Sequence, residues 1–181
     1  PEEAGAIRAA VIAADPSGLG ADCTAASEKD AQALTHLLAD PSIATAIYDL
    51  PSPITLQTVG AWIADAETKR RRGEALLTIR TATDGTIYSY SYFTIWPDLA
   101  AAEIAGGFRA ERQGAGLGKT GALRSFAWMF EAFKVRLICV TAALDNMRSA
   151  RVIEAAGFTP MGERQSRRAD GSERRSRYWE M

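Results

Sequence analysis

The apolar positions of this chain follow two periods, and the switches between them mark its elements. Ala33, Leu34, Leu37 and Leu38 recur at the spacing of one helix face. Ser27 can cap the first free N–H groups of that helix, Asp30 can reach back to complete the cap, and Asp40-Pro41 ends it. Val59, Trp62, Ile63 and Ala66 repeat the spacing in a second helix that runs from a Thr55 cap to about Arg72 and stops at Gly73. Between the two helices, Pro51 and Pro53 fix a stiff loop over 47–54.

The period then falls to two. Residues 75–80 and 86–96 are β-rich runs joined through Asp84-Gly85, a strong hairpin signal. Tyr88, Tyr90 and Tyr92 share one face of the second run, and Ser89, Ser91 and Phe93 the other. Residues 101–110 read as a further strand. A helix over 118–133 follows, with Leu123, Phe126, Phe130 and Phe133 on one stripe. Residues 135–142 are almost continuously apolar, the mark of a central strand covered on both faces. A helix over 146–156 closes on Gly157 and Phe158, and a last hairpin pairs 160–169 with 172–180.

Residues 21–26 suit a short strand. The alanine-rich residues 1–20 predict a short helix and a loose connection, an N-terminal extension that is expected to be flexible, ahead of one domain over 21–181. The expected fold is mixed α/β (α+β), with a mostly antiparallel twisted sheet and helices on both faces.

Composition narrows the setting. The 181 residues carry a formal net charge of -1, which argues against a generic polyanion binder and makes nucleic acid an unfavoured partner. Lys69-Arg70-Arg71-Arg72 reads as a solvated helix end that suits the dipole. Cys23 and Cys139 are too few for a disulfide framework and fit a reducing, cytoplasmic setting. His36 is the one histidine, so a multi-histidine metal site is excluded and no metal is expected. No run approaches the ~18 apolar residues of a membrane span, and the first residues lack the basic and apolar regions of a signal peptide, so no membrane partner is expected.

Candidate chemistry centres on Arg112-Gln113-Gly114-Ala115-Gly116-Leu117-Gly118-Lys119-Thr120. Alternate glycines let backbone N–H groups approach a ligand, and a helix opening directly after them aims its dipole at the same place. That combination makes an anion site. A nucleoside-triphosphate loop ending in Gly118-Lys119-Thr120 needs glycine at position 113, which is Gln. A dinucleotide fingerprint starting at Gly114 needs Gly or Ala at position 119, which is Lys.

Gln113-Gly114-Ala115-Gly116-Leu117-Gly118 matches Gln/Arg-x-x-Gly-x-Gly/Ala and resembles the pyrophosphate loop of the GNAT acyltransferases. Downstream, Asn146-Met147-Arg148-Ser149, its helix and Gly157-Phe158 resemble that family's second signature, Asn-x-x-Ser/Ala. The resemblance runs from about Ala21 to Met181. The Asn-x-x-Ser form, the Leu50-Pro51-Ser52-Pro53 loop and the closing hairpin look most like the Rim-type branch, which acetylates ribosomal-protein N-termini and also includes antibiotic- and amino-acid-modifying enzymes.

The resemblance implies the GNAT fold and acetyl-CoA as co-substrate. Its pyrophosphate would sit on the loop from Gln113 through Gly114, Ala115, Gly116, Leu117 and Gly118 to Lys119 and Thr120. Strands 101–110 and 135–142 would splay apart around its pantetheine arm. Backbone near Phe108, Arg109 and Ala110 would serve the oxyanion, Asn146 and Ser149 would meet the coenzyme, and Arg151 would meet a phosphate. The implied reaction is direct attack of an amine on the thioester in a ternary complex, so a base must take a proton. Glu103 is the base candidate, on the strand where many members carry a glutamate. The family's frequent tyrosine acid falls at Ile153 here, which leaves Ser149 or Tyr178 as acid. Tyr48, Asp49, Trp62 and Tyr90 are the acceptor-side candidates.

The acceptor is expected to be a protein N-terminal amine or a small-molecule amine. Alternatives are a toxin-type acetyltransferase acting on aminoacyl-tRNA, mildly favoured by Arg164, Arg167, Arg168, Arg174, Arg175 and Arg177 in the last hairpin, and a non-catalytic coenzyme-A-binding module. Acyl chain length and oligomeric state, a homodimer included, stay open.

Overall fold

The computed structural model describes every residue except 45, 46, 48, 110–116 and 168–170, and gives helical backbone alone for 117–119. A seven-stranded sheet runs through the molecule in the order β1-β2-β3-β4-β5-β7-β6. The strands are β1 (Cys23–Ala25), β2 (Ala75–Thr81), β3 (Ile87–Trp96), β4 (Ala101–Phe108), β5 (Leu137–Ala143), β6 (Thr159–Arg167) and β7 (Glu173–Glu180). Every pairing is antiparallel except β4 with β5. The helices are α1 (Glu2–Ala13), α2 (Ala31–Leu38), α3 (Pro41–Ala44), α4 (Leu56–Arg71), α5 (Leu117–Phe133) and α6 (Met147–Ala155). The expected mixed fold, mostly antiparallel with helices on both faces, is therefore the observed one.

Alternation along the strands sorts the apolar side chains into two cores. Phe93, Ile95, Ala102, Ile138, Val140 and Trp179 pack with Phe126, Met129 and Phe133 of α5, Ile153 of α6, and Ile7 and Val11 of α1. On the opposite face Leu77, Ile79, Tyr90 and Tyr92 pack with Leu34 and Leu37 of α2 and Val59 and Ile63 of α4. Among the described residues, α2, α3 and α4 cover this second face over β2 to β4.

The caps form as the sequence predicts. Ser27 and Asp30 make a capping box, although it opens a short 3-10 turn ahead of α2. Thr55 Oγ1 accepts the Thr58 N–H at 3.2 Å to start α4. The α5 stripe differs from its prediction: Phe126, Met129 and Phe133 are buried, whereas Leu123 stands exposed at the stripe's edge. Residues 1–20 form α1 and a 3-10 turn, Pro16–Leu19, that lies against Trp128 of α5.

Candidate active site

The parallel seam between β4 and β5 holds for three register pairs only, Ala101–Leu137, Ala102–Ile138 and Glu103–Cys139. Beyond Glu103, β4 stays paired with β3 up to Phe108, while β5 stays paired with β7. The two strands part, and a cavity of about 370 Å³ opens in the wedge between them. Arg109 donates its N–H to Tyr88 O at 2.9 Å, just past the last pair of the antiparallel β3–β4 ladder. Hydrogen-bonding direction alternates along an antiparallel strand. The backbone groups of Ile104, Gly106 and Phe108 therefore face the wedge. Ala102 O, in the same phase, accepts from Cys139 Sγ at 3.5 Å.

Two glycines fit this edge tightly to its surroundings. A Cβ on Gly106 would meet Tyr90 O at 2.5 Å, and one on Gly107 would meet Ile43 Cγ1 at 3.3 Å. Gly121, Ala122, Ser125 and Phe126, from the first turns of α5, line the cavity and bring the positive end of the helix dipole beside it.

Glu103 lies where the strands begin to part and lines the cavity. Burial raises its carboxyl from 4.5 to about 7; the Thr141 hydroxyl and the Arg164 charge oppose the rise and the Asp49 charge adds to it. Thr141 Oγ1 donates to Glu103 Oε1 at 3.2 Å. The carboxyl thus faces the wedge with a pKa near neutrality.

Ser149 lines the cavity too, on the first turn of α6. Asn146 caps that helix: its Oδ1 accepts the Ser149 N–H at 3.0 Å, and Asn146 also lines the cavity. Tyr178 does not reach the wedge. It is buried among β5, β6 and β7, donates its hydroxyl to Glu180 Oε1 at 2.5 Å, and carries the Arg164 guanidinium 3.8 Å above its ring. Burial and the Glu180 hydrogen bond push its hydroxyl well above the ordinary tyrosine range. Of the two candidate acids, Ser149 is the one at the cavity.

The other predicted positions divide similarly. Phe108 lines the cavity, but Arg109 turns away, with its N–H on Tyr88 O and its Nε donating to Ile87 O at 2.9 Å. Arg151 is exposed on the outer face of α6, and Arg148 lines the cavity in its place. Thr120 is exposed on the first turn of α5. Ala110, Gln113, Gly114, Ala115, Gly116 and Tyr48 lie outside the described residues, as do the side chains of Leu117 and Lys119.

On the acceptor side, Trp62 stacks on Tyr92 with centroids 5.3 Å apart and meets Tyr90 edge-on at 5.9 Å. Tyr90 lines the cavity from beneath Gly107, and its buried hydroxyl has no hydrogen-bond partner among the described residues. Asp49 and Trp62 line a second cavity, of about 650 Å³, with Tyr92; burial raises the Asp49 carboxyl against the Arg174 charge, and the Asp49 charge is felt by Tyr90 and Glu103. Thr141 and the wedge-facing amides of Ile104 and Gly106 were not singled out by the sequence, Arg148 entered it only as a variable position of the Asn-x-x-Ser signature, and Arg174 only as one of the six hairpin arginines. Strand register brings Thr141, Arg174, Ile104 and Gly106 to the cavity, and the first turn of α6 brings Arg148.

A parting sheet with a part-buried carboxyl at its fork and a helix N-terminus beside its mouth is the arrangement that the sequence resemblance implies for an acyltransferase. Residues 24–159, well over half of the chain, match the profile of the acetyltransferase (GNAT) domain, and the chain belongs to that family. Its co-substrate is acetyl-CoA and its activity N-acetyl transfer. Among solved structures, ribosomal-protein-S5-alanine acetyltransferase from Vibrio fischeri is 16% identical with a TM-score of 0.74, over 88% of this chain and 91% of that one. RimL, a ribosomal L7/L12 alpha-N-protein acetyltransferase in complex with coenzyme A, is 19% identical with a TM-score of 0.75, over 88% and 92%. The microcin C7 self-immunity acetyltransferase MccE, in complex with acetyl-CoA and AMP, is 17% identical with a TM-score of 0.74, over 90% and 93%. At these identities the likeness is one of fold. No curated protein matches the sequence.

Proposed function

We propose that this acetyltransferase modifies a primary amine, the N-terminal amine of a protein or peptide ahead of a small-molecule amine, with Glu103 as general base and Ser149 as the donor to the leaving thiolate. The observation that carries the reading is the parting of β4 from β5 at Glu103. Pantetheine laid in the wedge pairs with the backbone of Ile104, Gly106 and Phe108, as a missing strand would. Its pyrophosphate falls to the glycine loop 114–118 at the start of α5, and Asn146, Ser149 and Arg148 meet the coenzyme from α6. The thioester then lies near Glu103, and a wedge-facing amide of β4 receives the oxyanion.

An arriving amine is protonated at neutral pH and is no nucleophile. Glu103, half ionised there, takes that proton directly or through a water. The freed amine attacks the carbonyl carbon, the tetrahedral intermediate collapses, the C–S bond breaks, and the second proton shed by the new amide nitrogen is relayed through Ser149 to the leaving thiolate. Asp49, Trp62 and Tyr90 line the acceptor's approach. The buried, unbridged thiols of Cys23 and Cys139 suit a cytoplasmic, reducing setting.

Thermal-shift titration with acetyl-CoA followed by thiol release with a panel of amines tests this. Stabilisation by acetyl-CoA with amine-dependent thiol release is the expected result. Coenzyme binding with no turnover on any amine would leave only a binding module.

A further inference from the structure

The last hairpin presents its arginines on two faces. Arg164 lies opposite Ser176 and Arg174 opposite Ser166, so these two arginines are diagonal neighbours on one face of the β6–β7 ribbon. Tyr178 and Glu180 share that face, and register carries it through Thr141 and Cys139 of β5 to Glu103. Arg167, Arg175 and Arg177 alternate onto the other face, where Arg175 pairs with Glu163.

Both face-sharing arginines are held in place. Ser166 and Ser176 are buried and hydrogen-bonded to each other at 2.9 Å, and their small side chains leave room for longer ones to lie across them. Arg174 Nε donates to Ser176 Oγ at 3.3 Å, and Arg174 lines the wedge cavity together with Glu103. Arg164 stacks 3.8 Å over the Tyr178 ring, and its charge reaches Glu103. A stacked guanidinium keeps its N–H fork free to bind a carboxylate edge-on.

We infer that Arg164 and Arg174 form a paired guanidinium site for an anionic group on the acceptor, so that the favoured amine belongs to a peptide with acidic side chains just behind its N-terminus. The inference rests on the acetyl-transfer reading of the wedge. Asp49 and Glu103 draw the positively charged amine inward while the two arginines hold the carboxylates behind it. A nucleic-acid backbone calls for an unbroken basic track. Here Asp49, Glu103 and Glu180 interrupt it, which favours a peptide of mixed charge.

The test compares two peptides that both begin with alanine, Ala-Asp-Glu-Ala amide and its neutral isostere Ala-Asn-Gln-Ala amide, by thiol release from acetyl-CoA with the full chain. The expected kcat/KM is about tenfold or more higher for the acidic peptide at low ionic strength, shrinking as salt screens the pair. R164Q and R174Q each remove most of that preference, and R174K, which keeps the charge, retains part of it. Melting temperatures of the variants confirm that they fold. Equal rates for the two peptides overturn the inference. So does a preference that survives both glutamine variants, as it would if the arginines were only structural, and so does inhibition by oligouridylate stronger than by the acidic peptide. Failure of every amine, charged or neutral, would strike instead at acetyl transfer itself.

Discussion

Glu103 is the proposed general base, and its raised pKa gives two opposite pH dependences. As a base it works when ionised, so kcat/KM is expected to rise with pH through about 7. Glu103→Gln should lower kcat by about 10²–10⁴-fold and flatten that limb, read from a pH–rate profile. Stability runs the other way. A carboxyl whose pKa is higher folded than unfolded stabilises the fold fully below the unfolded value of 4.5, and that contribution is lost as pH rises through about 7. Urea unfolding of the wild type should therefore show a stability loss over this window that Glu103→Gln does not show. Tyr90 supplies a second residue-level prediction. Its buried hydroxyl has no partner among the described residues, and an unmet polar group costs about 1–3 kcal/mol. Tyr90→Phe should leave the urea midpoint of the free protein unchanged or raise it, whereas most core substitutions lower it.

At the scale of elements, α6 shows what the sequence carried and what it did not. Asn146 was legible as both a cap and a coenzyme contact, because Asn-x-x-Ser is a local pattern. The structure shows the cap, with Oδ1 on the Ser149 N–H. Asn146→Ala should cost about 1 kcal/mol in urea unfolding. Asn146→Asp keeps an accepting oxygen and should recover that stability. If coenzyme affinity by thermal shift stays low in Asn146→Asp, the amide itself touches the coenzyme. The parting of β4 from β5 was legible only through family resemblance, since both runs read simply as apolar strands. The phase of β4 was not legible at all: whether Phe108 or Arg109 faces the wedge depends on pairing with β3, a long-range fact. Gly106 belongs to this scale as well. A Cβ there would stand 2.5 Å from Tyr90 O, so Gly106→Ala should cost about 1–3 kcal/mol through backbone displacement, again measured in urea.

For the whole molecule, residues 1–20 were the least legible stretch. Alanines surround Ile7 and Val11, so no broad apolar stripe announced a packed helix. Yet these two residues, one helical turn apart, are buried in the core beneath the sheet. Ile7→Ala should cost about 2–5 kcal/mol, a core value, seen as a lowered urea midpoint.

The three-pair seam between β4 and β5 has a further consequence for how the molecule comes apart. Among the described residues, these three register pairs are the strand ladder between β1–β4 and β5–β7, while the core of α1, α5 and α6 packs against both halves of the sheet. Beyond the ladder the amides of Ile104, Gly106 and Phe108 face the wedge with no strand over them and should exchange hydrogen early in the free protein. On the proposed reading, a coenzyme in the wedge would hydrogen-bond β4 and touch α6, a removable eighth strand. The substrate would then fasten together the enzyme that consumes it, and each turnover would loosen that fastening as the coenzyme leaves.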